Sequence, residues 1–284
     1  MKVSDVDLCA FCPRLCRHVC PVAVGSGREA ATPTAKMTSV WAWLTEHGTG
    51  DDAFAHAALC TSCGACTEAC KLDRPVAALL SEARGALRPA PTPPPIAEII
   101  GEGLLVAVET DDRRWSEALA ARLGQPVARL WSPNELGEAL LDHTDGLAAI
   151  TDALRVRLAG RTLVVASGGA WRVVEKAGLD AQHLSTLVPI PDDLPTFVPC
   201  SGPPPAGTAN PDAIACCGAA APLPATHPTI AAEVGQDAAG RLRGELHATS
   251  DARCGRWLRE HGAQILDPID QLLAWHTSRE RSPS

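Results

Sequence analysis

Apolar positions change their period along the 284-residue chain, and the changes divide it. In the first part they recur at helical spacing. Met37, Val40, Trp41 and Leu44 fall three and four residues apart and predict a helix over 36–47. Residues 51–59 read as a second helix with Asp51 at its start, and 75–87 as a third with Pro75 in its first turn. Residues 88–97 then hold a proline-rich run, Arg88-Pro89-Ala90-Pro91-Thr92-Pro93-Pro94-Pro95, which predicts a stiff, polyproline-like linker. Beyond it the pattern shifts to short apolar runs at 104–108, 127–131, 147–150 and 162–166, with helical patterns at 115–123 and 135–141 between them. Runs of that length alternating with helices predict a parallel α/β sheet across 98–190. Residues 191–284 return to helical patterns, amphipathic over 227–246 and again over 253–262.

The formal net charge of −8 argues against nucleic acid as a partner, because phosphate binding needs a basic face. No apolar stretch reaches the roughly eighteen residues a bilayer span requires, so membrane contact is expected only through a partner. Met1 to Asp7 has no apolar core of a secretory signal. The loop Ser167-Gly168-Gly169 follows an expected strand but lacks the full G-x-G-x-x-G pattern, which leaves a phosphate loop there weakly supported.

The twelve cysteines carry the chemistry, in three sets of four. Cys9, Cys12, Cys16 and Cys20 run as C-x2-C-x3-C-x3-C followed by Pro21. Cys60, Cys63, Cys66 and Cys70 run as C-x2-C-x2-C-x3-C, the spacing of bacterial ferredoxins. Two such runs predict two [4Fe–4S] clusters set among helices, in a domain over 1–87. A disulfide framework belongs in oxidising compartments, and zinc sites usually pair two C-x2-C units across a longer gap. The thiols therefore point to iron–sulfur chemistry in a reducing cytoplasm. The third set is Cys200, the adjacent Cys216-Cys217 followed by Gly218, and Cys254. Adjacent cysteines serve one metal centre only where the backbone turns sharply, and Gly218 allows that turn. Cys254, near an expected helix start, is placed where thiolate charge is stabilised. Four buried thiols without a metal are the alternative.

With Cys200, Cys216-Cys217-Gly218 and Cys254 behind two ferredoxin-type runs, the chain resembles the iron–sulfur subunits of heterodisulfide reductases. It is similar in the same way to those of glycolate and lactate oxidases and of anaerobic glycerol-3-phosphate dehydrogenase. The resemblance implies an α-helical ferredoxin domain followed by an α/β cysteine-rich (CCG) region of two repeats. Residues 98–190, without cysteine, would be the degenerate first repeat and 191–284 the second. It also implies crossed ligation, Cys9, Cys12 and Cys16 with Cys70, and Cys60, Cys63 and Cys66 with Cys20. Pro21 after Cys20 follows the family habit, whereas Lys71 after Cys70 departs from it. The CCG motif departs as well, since Asp251 stands where the family has a further cysteine. Four thiolates suit a third iron–sulfur cluster or a closed zinc site, with Asp251 a conceivable oxygen ligand.

Three functions follow as expectations. The first is an electron-transfer component, not a self-sufficient enzyme, carrying electrons from a flavin-binding dehydrogenase (for a substrate such as a 2-hydroxy acid) toward a quinone or other carrier. The second is heterodisulfide or disulfide reduction at the C-terminal cysteines. The third makes those cysteines a structural zinc site. Among smaller signals, His18 lies where it could bond a cluster sulfur or simply face water, and His227 reads as a helix-start residue. Trp41 and Trp43 read as core, and Arg14 and Arg17 as cations offsetting cluster charge or facing solvent.

Overall fold

The computed structural model describes residues 1–12, 16–110, 113–191, 193–201 and 216–281, so Arg14 lies outside the described residues. By contact the chain forms two units. The first comprises Met1–Ala90, Asn210–Gly244 and Trp257–Ala263, and the second Pro91–Ala209, Glu245–Arg256 and Gln264–Ser284. Among the described residues no helix is long and apolar enough to cross a membrane.

The first unit is helical. Val3–Ala10, Pro33–Leu44, Gly50–Ala57 and Val76–Leu87 bury Val6, Met37, Val40, Ala57, Leu79, Leu80 and Ala83 in one core. Local chemistry sets their starts. Thr32 accepts the Ala35 amide (3.3 Å) with Pro33 in the first turn, and Thr49 accepts the Asp52 amide (3.1 Å) ahead of two acidic residues. A smaller core joins Val22, Ala23, Ala31 and Leu59 to Leu223, Ala231 and Val234 from far along the chain. The helix Pro228–Arg241 packs there on Pro21–Ser26. Close approach requires Gly25, whose added Cβ would stand 3.0 Å from the Val234 backbone, and Arg28 pairs with Glu233 at 2.9 Å.

The second unit is α/β. Its larger sheet contains β1 (Ile99–Ile100), β2 (Leu105–Glu109), β3 (Val127–Trp131), β4 (Thr162–Val165) and β5 (Ala181–His183), in the order β1-β3-β2-β4-β5. All neighbours are parallel except the edge pair β1–β3. Alternation along β2 sends Val106 and Val108 to one core with Leu130, Ile150, Leu154 and Val173, and Ala107 to the other with Trp115, Leu119 and Leu184. Helices thus cover both faces. Ile96 and Ala97, at the end of the proline-rich stretch, pack against the first of these cores. A second sheet is a parallel trio, β6 (Thr196–Phe197), β7 (His247–Thr249) and β8 (Ile265–Leu266), ordered β6-β7-β8.

Two expected elements are corrected. The apolar run 147–150 is not a strand. It lies in the helix Thr144–Leu158, where Leu147, Ile150, Thr151, Leu154 and Leu158 make one buried stripe at helical spacing. The helix expected at 135–141 is reduced to a short 3₁₀ turn, Glu138–Leu140. Glu135, Leu136 and Gly137 all take left-handed backbone (φ 48°, 60° and 87°), which no right-handed helix accommodates.

His183 closes β5 in full burial, with Ser185 Oγ 2.8 Å from its Nδ1. Burial pushes its pKa down to about 4, with Asp251 opposing. The unfolded chain therefore binds a proton first, near pH 6.5. Stability from neutral His183 is complete above that pH and is lost as pH falls toward 4. Between pH 7 and pH 5 the expected loss from this group is about 2 kcal/mol. Denaturant midpoints at the two pH values should lie closer together in His183→Asn than in the parent; an unchanged gap would refute the assignment.

Candidate metal centres

The two cysteine runs meet in crossed fashion. Cys9 lies in the Val3–Ala10 helix, and Cys12 and Cys16 follow it. These three line an open cavity of about 320 Å³ together with Cys70 from the second run. Leu8, Met37, Leu72, Val76 and Arg74 complete the wall. Arg74 turns toward the thiols: its amide donates to Cys70 Sγ (3.4 Å), and its guanidinium donates to the Asp5 carbonyl and reaches Cys9.

A second cavity, also about 320 Å³, is lined by Cys60, Cys63 and Cys66 with Cys20 from the first run. Cys20 precedes the Pro21–Ser26 helix, and Cys66 lies in the short helix Ala65–Glu68. The loop between Cys60 and Cys66 takes left-handed turns at Ser62 (φ 54°) and Gly64 (φ 84°), so its cysteines wrap one space. The Ser62 amide donates to Cys60 Sγ at 3.3 Å. Arg84, buried on Val76–Leu87, holds the loop from behind through the carbonyls of Ala57 (3.2 Å) and Cys60 (3.4 Å) and the Ser62 hydroxyl (2.9 Å).

Lys36 also lines this second cavity. It is 2 % exposed, and its Nζ lies 3.7 Å from Cys20 Sγ. Among the described residues no carboxylate pairs with it. A lone buried ammonium is expensive, and an anionic metal–thiolate group in the cavity would offset it. Burial, chiefly, raises the Cys66 thiol and pushes Cys16 up to about 11. Bound metal would supply the positive charge that stabilises thiolates at that depth. Among the described residues no three Cys, His, Asp or Glu side chains converge to hold a single ion. The thiols ring cavities instead. Both walls thus fit an iron–sulfur cluster: four sulfurs, amide donors to sulfur and one buried or half-buried cation each.

The third set is distributed over both units. Cys216 and Cys217, both buried, belong to the first, while Cys200 and buried Cys254 belong to the second. Gly218 takes φ 87°, and a Cβ there would meet the Ala231 carbonyl at 2.9 Å, so the turn after the pair requires glycine. Cys216 stands beside the second run. Its thiol donates to Thr61 Oγ1 (3.3 Å), and its hydrogen bond to Cys63 is the main cause that holds Cys63 down to about 6. Cys254 is the third residue of the helix Ala252–Glu260. Asp251 caps that helix: one oxygen accepts the Arg253 (2.8 Å) and Cys254 (3.0 Å) amides, the other the Gly168 amide (2.7 Å). Three backbone amides thus hold the Asp251 carboxylate.

The same contact answers the phosphate-loop question. The amide at the start of the Gly168–Ala177 helix is already taken by Asp251, and a Cβ on Gly169 would strike the Glu135 carboxylate. Two carboxylates occupy the place an anion would need. His18 is exposed on the 3₁₀ turn Arg17–Val19, and Arg17 pairs with Glu29 (2.8 Å) at the surface. His227 directly precedes Pro228–Arg241 as its first flanking residue, and Trp41 and Trp43 pack against the first core. Sequence reasoning missed Lys36 and Arg84, because a basic residue on an expected helix reads as solvent-facing, and Arg74, because a basic residue in a loop reads the same way.

Residues 5–73, about a quarter of the chain and including all eight N-terminal cysteines, match a family described as 4Fe-4S dicluster domain. No curated protein and no solved structure matches the chain. The N-terminal region is therefore a ferredoxin-like iron–sulfur domain, and it supports an electron-transfer role.

Proposed function

We propose that this chain is the iron–sulfur subunit of an oxidoreductase complex. It takes electrons from a flavin-binding dehydrogenase, for a substrate such as a 2-hydroxy acid, and passes them toward a quinone or other carrier. The observation that carries the reading is the pair of cavities, each ringed by three cysteines of one run and the fourth of the other. Cys9, Cys12, Cys16 and Cys70 would hold one [4Fe–4S] cluster and Cys60, Cys63, Cys66 and Cys20 the other. Such clusters accept and release single electrons without bond-making in the protein. The protein's part is to hold them, shield them and set their charge environment. Mixing the oxidised chain with its flavoprotein partner and following cluster absorbance tests the role. Substrate-dependent bleaching is expected; substrate oxidation by the chain alone, without flavin, would overturn it.

Resemblance to heterodisulfide reductase and glycolate oxidase subunits extends the reading to Cys200, Cys216, Cys217 and Cys254 as ligands of a third centre, iron–sulfur or zinc. Since Asp251 replaces a cysteine and is consumed as a helix cap, four thiolates are left, too few for the opened cluster that cleaves disulfides in that family. Electron transfer is favoured over disulfide reduction on that count. Cys254→Ser is expected to remove this centre alone, leaving the N-terminal EPR signals intact. Metal analysis of the parent distinguishes about twelve irons from about eight irons with one zinc. Loss of all signals together in Cys254→Ser would contradict a separate third centre.

A further inference from the structure

We infer that Lys36 sets the reduction potential of the second centre, holding it above the value that its burial alone would give. The inference rests on the reading that the cavity of Cys20, Cys60, Cys63 and Cys66 holds a cluster. Apart from those thiols and Lys36, the wall is largely apolar, with Val22, Pro33, Ala77 and Leu80. Reduction by one electron adds negative charge, and a dry apolar wall opposes that addition. A fixed cation beside a ligand sulfur favours it, the more so where water screens little.

Lys36 is placed for that role by the fold. It sits on the same helix face as Met37 and Val40, so the packing that buries the helix also carries the ammonium inward. Among the described residues no carboxylate pairs with it, and its Nζ lies 3.7 Å from Cys20 Sγ. The first cavity differs. Its cation, Arg74, is only half-buried, and its wall includes half-exposed Leu8 and Leu72. Solvent near that wall screens charge and weakens the influence of any single cation. The two cavities thus share a ligand count and differ in their charge setting, with the fully buried cation at the second.

The test is a redox titration followed by EPR on the full chain, with iron content measured in parallel and the second centre identified by its loss in Cys60→Ser. Lys36→Met keeps the volume and removes the charge; Lys36→Arg keeps the charge. In Lys36→Met the reduction equilibrium of the second centre should become at least about tenfold less favourable, a shift of about 59 mV to the negative for one electron. The first centre should stay in place, and Lys36→Arg should stay near the parent. Loss of the second centre in Lys36→Met with retention in Lys36→Arg would show that the charge is needed to hold the centre, and would overturn a role in setting its potential. An unchanged potential in Lys36→Met, an equal shift of both centres, or loss of iron from both variants would overturn it. Iron content of the parent separately decides whether the cavity holds a cluster at all.

Discussion

Cys20→Ser is expected to strip the centre held by Cys60, Cys63 and Cys66 while leaving that of Cys9, Cys12 and Cys16 loaded, and Cys70→Ser to do the reverse. Each cysteine lies in the run opposite to the centre it damages, which is the reverse of what sequence proximity alone would predict. The expectation comes from the cavity walls, where Cys20 stands with the second run and Cys70 with the first. Neighbouring contacts agree. Lys36 reaches Cys20 from within the second cavity, and Arg74 approaches Cys70 and Cys9 together. A serine oxygen is a poor substitute for thiolate at an iron–sulfur site, so about half of the N-terminal iron should be lost in each variant. Reduced EPR spectra should change from two interacting signals to one isolated signal, with a different survivor in each case. Loss of the same centre in both variants would exclude crossed ligation.

Arg253→Met should be the most damaging single change in the α/β unit. Arg253 is 14 % exposed and pairs with Glu138 (2.5 Å) and Glu135 (3.0 Å), both buried on the strained turn that replaces the expected helix. Its guanidinium holds the Glu138 carboxyl below its ordinary range, although burial opposes this. The Glu135 carboxyl is pushed up, chiefly by burial, even with Arg253 beside it. Removing the cation leaves Arg172 to pair with Glu138 and strands Glu135 beside Asp251 and Glu138. Breaking a buried pair from one side typically costs about 3–5 kcal/mol, and that loss should appear in denaturant unfolding at pH 7. Adding Glu135→Gln to Arg253→Met should recover part of it, because the stranded charge is gone. A single variant within about 0.5 kcal/mol of the parent would show that the network is not structural.

The helical half was legible because its signals are local. Apolar residues at three-and-four spacing, Asp51 at a helix start and Pro75 ahead of a first turn place Pro33–Leu44, Gly50–Ala57 and Val76–Leu87 within a few residues of expectation. Three of four expected strands were legible for the same reason. The run at 147–150 was misread because four apolar residues fit a strand or a buried helix turn equally well, and only Leu154 and Leu158 further on reveal the stripe. Cysteine spacing identified the chemistry but not its surroundings. The cation facing Cys20, the arginine bracing the Cys60 loop and the thiol of Cys216 beside Cys63 all depend on contacts between distant segments. Periodicity carries no record of such contacts. Neither does it show that Pro228–Arg241 returns to pack on Pro21–Ser26 within the helical unit.

Iron and acid-labile sulfide should be counted, with EPR after reduction, on the full chain purified without oxygen. The account predicts at least about eight irons and eight sulfides per chain, with the broadened signals of two neighbouring reduced [4Fe–4S] clusters. Zinc in place of iron, or iron without sulfide and without a signal on reduction, would contradict it.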